Sequence, residues 1–416
     1  MPLRKTSILS TASSTATSDK VKFPLQDDEI PHVELTPEQV KQYRDSAYDV
    51  IHIALEAEIQ FRYRDMAMMN PHDWKFLKSM ERMKVYKRIT PGEDLASMVI
   101  GVGFIDGTME DAFYGLHHKT TEEMRKTTTF VNKDMLDSAV IANLEMGTDA
   151  DPFRYLGLKW RVAKTPMGNI IKNRDVCNME CMGIDTDSQG VKYGYLLLKS
   201  VDVPGFPMYP ESVVIRAQMM LCCIYRQITS NVLAFYSKGV FNLCGELADF
   251  MAFNTSADMV LSISQTVQCA AAKRLTLMYL RLHGRETGVE KSQSAIRNDL
   301  SSRDSTDSMH VPELKPSGSH CSLCQRKPSL LSLKCKRCQL CGQTVCSKCY
   351  MKPYLLARPR NFRIVCCKSC MMKSREFPVD PRDPYPIING SCWQPQSLLS
   401  SESTKATSSV STDKEY

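Results

Sequence analysis

Residues 153–182, FRYLGLKWRVAKTPMGNIIKNRDVCNMECM, decide how this chain is read. Two largely apolar stretches, 153–163 and 170–182, lie either side of Pro166, Gly168 and Asn169, and that punctuation predicts neighbouring strands in an antiparallel sheet. The same spacing recurs outward. Strands are predicted at 138–145, 191–202 and 211–227, and upstream at 83–89 and 98–105, with turns at Pro91-Gly92 and Asp106-Gly107. Residues 108–127 predict a helical insert. Ahead of all of these, Thr36 as cap, Pro37 at the first helical position and Glu38 open an amphipathic helix; Val40, Tyr43, Ala47, Ile51 and Leu55 recur at its period. Behind them, a last helix opens at 254–256 and runs to about 283, with Val260, Ile263, Val267, Ala271 and Leu275 on one stripe and Gly284 as its stop. A helix, a run of antiparallel strands and a long closing helix make an α+β domain in which helices pack a curved sheet.

The chain has 416 residues, enough for two domains and tails, and is 43% hydrophobic and 24% charged, which fits a soluble globular protein. No apolar run approaches the roughly 18–20 residues of a membrane helix. The N-terminus, MPLRKTSILSTASSTATSDK, has no apolar core of a secretory signal. The expectation is a cytoplasmic protein, not secreted and without a transmembrane helix. Residues 1–30 and 376–416 are expected to be disordered tails, and 284–318, polar and without period, a flexible linker.

The cysteines depart from the average. Ten of 17 fall between Cys321 and Cys370, eight of them in four CxxC pairs: Cys321/Cys324, Cys338/Cys341, Cys346/Cys349 and Cys367/Cys370. In a reduced compartment such spacing reads as metal binding. Eight thiolates satisfy two tetrahedral zinc ions, and in so small a region metal supplies most of the folding free energy, on the order of 10 kcal/mol per site. Cys335 and Cys366 stand as possible alternative ligands. The window 313–376 holds 14 Lys and Arg against Glu313 and Glu376, a charge of +12, which leaves −5 on the rest of a +7 chain. Within it Leu330, Leu331 and Leu333 stand between Lys327 and Lys334, Lys336 and Arg337. An apolar tip among cations suits an anionic bilayer, each cation adding roughly 1 kcal/mol near the surface. Nucleic acid is the lesser partner, since no aromatic series is interleaved with these cations.

The gap of four residues between the second and third pairs, Gly342 after Cys341, and Arg363-Ile364-Val365 before the last pair resemble the FYVE fingers. The resemblance implies a cross-brace in which Cys321, Cys324, Cys346 and Cys349 hold one zinc and Cys338, Cys341, Cys367 and Cys370 the other. It also implies a membrane-inserting turret at the leucines, with Lys334, Lys336, Arg337 and Arg363 toward phosphatidylinositol 3-phosphate, and so a peripheral place on an endosomal or other anionic membrane. The family's basic signature is here Lys334-Cys335-Lys336-Arg337, without its histidines, and its upstream tryptophan is missing. Trp160-Arg161, Pro166, Asn173-Arg174-Asp175-Val176-Cys177 and Val214-Ile215-Arg216-Ala217 resemble the START lipid-binding domains over about residues 35–283. That resemblance implies a helix-grip fold whose closing helix lids an apolar tunnel for a hydrophobic lipid. Met259, Ile263, Val267 and Arg174 are its candidate lining, and Arg174-Asp175 a candidate buried ion pair.

No GxSxG, P-loop or HExxH pattern occurs. His117-His118 is expected on a surface helix, Gly101-Val102-Gly103 reads as a packing feature, and Cys177, Cys181, Cys222 and Cys223 as buried thiols. The expected function is therefore non-enzymatic: a START-like domain binds or senses a lipid, and a zinc finger in residues 319–375 contacts membrane. The alternatives are an adaptor whose finger binds protein, and a RING-type ubiquitin ligase.

Overall fold

Thr36 caps the first helix through a reciprocal pair of bonds. Gln39 N donates to Thr36 Oγ1 at 3.3 Å, and Thr36 N donates to Gln39 Oε1 at 2.9 Å. In the computed structural model, which describes residues 21–31, 33–89, 97–165, 171–283, 320–327, 335–358 and 360–389, this helix is α1 (Pro37–Ile59). Ten strands follow: β1 (Trp74–Met80), β2 (Met83–Arg88), β3 (Ser97–Asp106), β4 (Met135–Glu145), β5 (Tyr155–Ala163), β6 (Asn173–Thr186), β7 (Lys192–Ser200), β8 (Val214–Arg216), β9 (Gln218–Thr229) and β10 (Val232–Asn242). Helices α2 (Met109–Leu116) and α3 (Thr121–Val131) lie between β3 and β4; α4 (Asp249–Ser262) and α5 (Thr266–His283) close the domain.

The strands form one sheet in the order β1-β2-β3-β10-β9-β7-β6-β5-β4, antiparallel throughout, with the short β8 added parallel to β6. Alternation assigns its two faces. One face packs with α2, α4 and α5 around Phe113, Tyr225, Phe235 and Val260. The other packs with α1 around Ile51, Trp160 and Tyr195. This is the α+β, helix-gripped sheet that the sequence predicts.

Several local readings are corrected. The span 108–127 is two helices, because the chain breaks at 117–120 and Thr120 caps α3, accepting from Glu123 N at 3.2 Å. His117 and His118 sit in that break and are buried, not on a surface helix. The closing helix starts at Asp249 and is interrupted by a 3₁₀ turn at Ile263–Gln265. Gly103 (φ 146°) has a reason to be glycine: a Cβ there would lie 2.2 Å from the Arg82 carbonyl oxygen. The tail boundaries also move. Val21, Phe23 and Leu25 pack against the α1 core, and residues 376–389 are folded onto the rest of the chain. The turn at Pro91-Gly92, Pro166 and the linker 284–318 lie outside the described residues.

The cysteine-rich region is built from three two-residue ladders, Lys336–Arg337 with Thr344–Val345, Tyr350–Met351 with Cys366–Cys367, and Tyr354–Leu355 with Phe362–Arg363, and from α6 (Lys368–Arg375). It shares an apolar core with α5: Leu275 is buried among Leu340, Leu355, Ile364 and Ile388. Leu356 N donates to Thr276 Oγ1 on α5 at 2.9 Å, and Lys126 Nζ on α3 donates to the Ala357 carbonyl at 2.7 Å. Arg358 pairs with Glu122, and the Phe130 and Tyr354 rings meet at 6.2 Å. Residues 377–388 then return as a strap. Arg274 donates to the Phe377 carbonyl, Lys119 Nζ to the Asp383 carbonyl at 2.8 Å, and Tyr385 Oη meets Thr127 Oγ1 at 2.8 Å. Ile388 ends the strap beside Ala357, with Arg358 N donating to the Ile388 carbonyl at 2.9 Å.

Candidate functional site

Between the sheet and its helices lies a largely apolar cavity of about 180 Å³. Leu196, Leu198 and Met219 form its floor, Thr128 and Val131 of α3 one wall, and Met259 and Ile263 the lid. The 3₁₀ turn between α4 and α5 supplies Ile263. A break in a helix over a cavity is where the helix can change direction at least cost.

One wall is charged. Along β6 the alternating residues Arg174, Val176, Asn178 and Glu180 line the cavity, and Arg161 of β5 faces them. Arg161 Nη1 donates to Asn178 Oδ1 at 2.7 Å, and Arg161 Nη2 to Glu180 Oε2 at 2.5 Å. Behind Arg161, the buried Lys159 Nζ reaches the other Glu180 oxygen at 2.5 Å and His118 Nδ1 at 3.2 Å. Burial alone would raise the Glu180 carboxyl; Lys159 and Arg161 outweigh it and hold the group below its ordinary range. His118 is pushed well below 6.5 by burial and then by Lys159, so it is neutral. The site therefore presents an ionised, partly satisfied Arg–Glu pair at the rim of an apolar space. Polar ends of a bound molecule can exchange hydrogen bonds there without either charge being left alone.

The candidate lining residues divide. Arg174, Met259 and Ile263 line the cavity. Val267 does not; it packs on Gly107, where a Cβ would lie 2.7 Å from Val267 Cγ1. Arg174 and Asp175 are not an ion pair. Adjacent on a strand, they face opposite sides: Arg174 donates to the Leu243 and Cys244 carbonyls at 3.1 and 2.9 Å, while Asp175 accepts from Trp160 Nε1 and Arg216 Nη2, both at 2.8 Å, under the other face. Glu180, Asn178 and His118 were absent from the sequence expectation. The signal was available, since charged and amide side chains two apart in an otherwise apolar strand have to share a face.

The four CxxC pairs converge in two groups. Cys321, Cys324, Cys346 and Cys349 bring their sulfurs within 4.8 Å of one another, and Cys338, Cys341, Cys367 and Cys370 do the same. Measured separations are 3.7 Å for Cys324–Cys346, 3.7 Å for Cys341–Cys367 and 4.0 Å for Cys338–Cys370. A tetrahedron with metal–sulfur bonds of about 2.3 Å has edges of roughly 3.8 Å, so both donor sets fit a four-coordinate thiophilic ion. First and third pairs share one site, second and fourth the other: a cross-brace. Cys335 and Cys366 are buried outside these groups, and Cys366 Sγ donates to the Cys367 carbonyl at 3.5 Å.

Of the residues expected at a membrane, Leu330, Leu331, Leu333 and Lys334 lie outside the described residues. Lys336 and Arg337 lie on the first ladder of the cysteine-rich region, where Arg337 Nε donates to the Gly342 carbonyl at 2.9 Å, and Arg363 lies over the Tyr354 ring at 4.4 Å. Among the described residues no helix is long and apolar enough to cross a membrane.

No family model matches the chain, and no curated protein matches it. Solved structures do. Human STARD10 is 12% identical over 54% of this chain and 83% of its own, with a TM-score of 0.38. Human StAR-related lipid transfer protein 5 is 12% identical over 55% of this chain and 97% of its own, also at 0.38. A STAR-related lipid transfer protein fragment from Xanthomonas axonopodis is 13% identical over 48% and 96%, at 0.33. The helix-grip description rests on the strand order and helix placement given above.

Proposed function

We propose that this chain is a non-enzymatic lipid-binding protein whose cysteine-rich region is a two-zinc finger. The observation that carries this reading is the largely apolar cavity with one charged wall, Arg161–Glu180, roofed by an interrupted helix. The ligand is a hydrophobic lipid bearing a small polar group. At about 180 Å³ the cavity is below the roughly 300–1,000 Å³ of drug-sized sites, so loading requires α4 to swing at Ile263–Gln265. Zinc is favoured by four thiolates per site and a closed tetrahedral donor set; bound there it supplies structure, since no ligand position is left open.

The finger's cations, Lys336, Arg337 and Arg363 with Lys334, and the apolar Leu330, Leu331 and Leu333 favour contact with anionic membrane. Phosphatidylinositol 3-phosphate and an endosomal, cytoplasmic setting are the specific form of that reading. The test is made on the full zinc-loaded chain. Lipid extracted from purified protein, and label gained from donor vesicles, are expected, with Met259→Trp/Ile263→Trp abolishing both. Protein that carries and gains no lipid overturns the cavity reading. Flotation that rises with phosphatidylinositol 3-phosphate and falls in Leu330→Ala/Leu331→Ala is expected of the finger; unchanged flotation in that variant removes it from the membrane. The docking of the finger on α3 and α5 favours a second reading, in which it serves as a protein-binding brace and no lipid is exchanged.

A further inference from the structure

The sheet is covered unevenly. On the face that carries Trp160 and Tyr195, α1 packs on β7, β9 and β10. Its continuation over β1, β2 and β3 is covered by no helix among the described residues, because α4 packs on the opposite face, with Val260 against Gly101. Register identifies what this open face displays. Phe76 and Tyr86 stand in one row that runs through the buried Ile100 to Lys238. Lys84 and Val102 stand in the next, and Phe104 beyond them. Phe76, on the edge strand β1, is 52% exposed, and Phe104, near the end of β3, is 43% exposed, so two aromatic rings on one face stand open to solvent.

Among the described residues, the one carboxylate on this face, Asp106 at the end of β3, is paired with Arg82, and the charge left over is positive. Lys84 and Lys238 are exposed and no described group pairs with them, and among the described residues Arg88 reaches Met98 Sδ at 3.7 Å. Arg82, paired with Asp106, lies over the Phe104 ring at 5.0 Å. No Asp or Glu stands in these rows. A second copy docked face to face would set lysines against lysines, because a two-fold interface is self-complementary. The complementary surface is one that is anionic outside and apolar beneath. Aromatic rings with flanking Lys and Arg meet that description at a lipid headgroup boundary.

We propose that the open face of β1–β3, centred on Phe76, Tyr86 and Phe104 and flanked by Lys84, Arg88 and Lys238, docks on an anionic lipid bilayer. This contact is separate from the finger and stands on none of the finger's residues.

The experiment is flotation of the full zinc-loaded chain with vesicles of phosphatidylcholine alone, or with 30% phosphatidylserine. Preferential flotation with phosphatidylserine is expected. Lys84→Glu/Lys238→Glu changes two exposed side chains and is expected to reduce it about thirty-fold or more, at roughly fivefold per surface cation lost. Phe76→Ser/Phe104→Ser is expected to reduce it as well, with the thermal midpoint of each variant confirming that it is folded. Undiminished flotation in both variants overturns the proposal. Loss in Leu330→Ala/Leu331→Ala alone places the contact on the finger and likewise overturns it. A duplex DNA 20-mer bound as tightly as the vesicles, and lost in the same variants, replaces the bilayer with nucleic acid. A change of oligomeric state in Lys84→Glu/Lys238→Glu replaces it with a second copy.

Discussion

Glu180 holds two cations at once, Lys159 on one carboxylate oxygen and Arg161 on the other, both at 2.5 Å and away from bulk water. Removing one partner of a buried ionic group strands the rest, at a cost of about 3–5 kcal/mol. Glu180→Ala is therefore expected to lose about that much stability in urea denaturation, and a loss below about 1 kcal/mol would show that Lys159 gives up its charge instead. The neighbouring imidazoles set the acid limit. His117 and His118 are both held well below 6.5, first by burial and then by nearby lysines, and His117 Nε2 has no hydrogen-bond partner among the described residues. In the unfolded chain each titrates near 6.5, so on acidification it is the unfolded chain that takes up protons first. The stability they permit is complete above about pH 7 and declines below it, by about 1.4 kcal/mol per pH unit for each imidazole. Thermal midpoints between pH 8 and pH 5.5 check this, and His118→Asn is expected to flatten the decline. An unchanged slope would place the acid sensitivity elsewhere.

Elements were legible where their signals were local and single. The Thr36 cap, the strands at 153–163 and 170–182 and the closing helix follow from capping chemistry and period. Others were missed for physical reasons. β10 (Val232–Asn242) has Leu233, Phe235 and Phe241 on its inward face, but Lys238 and Gly239 interrupt the outward and inward runs, and its value comes from pairing with β3 and β9 far away in sequence. The division of 108–127 was readable: Thr120 with Glu123 repeats the cap of Thr108 with Asp111. The position of Val267 was not, because only the end of β3 shows that Gly107 leaves room for it. At the site, the resemblance to START domains offers Met259, Ile263 and Arg174 together with Val267, which period cannot separate from them, whereas the Arg161–Glu180 pairing depends on strand register. Gly107 offers a test at this scale. It has φ 151°, and a Cβ would meet Val267 Cγ1 at 2.7 Å. Gly107→Ala is expected to cost about 1–3 kcal/mol, and pairing it with Val267→Ala to recover part of that loss in the same denaturation measurement. No recovery would show that backbone conformation, not α5, fixes the glycine.

At the scale of the whole molecule, finger and cavity share walls. Thr276 on α5 accepts from Leu356 N, and α3 meets the finger through Lys126, Phe130 and Glu122 while its Thr128 and Val131 face the cavity. Chelating the metal is expected to unfold more than the finger: Leu275 loses its cover, so α5 becomes sensitive to trypsin and the protein binds an apolar dye. An apo-protein in which α5 stays protected would show that the two parts are thermodynamically separate. Thr276→Val, which leaves a buried N–H unsatisfied, is expected to cost about 1–3 kcal/mol and to speed metal loss to a chelator. The strap adds a mechanical consequence. Because residues 377–388 return to α3 and α5 after the finger ends, traction on the finger is borne by several attachments side by side rather than one after another. A finger held fast while the rest of the chain moves would act as a handle, transmitting its tension to two walls of the cavity together.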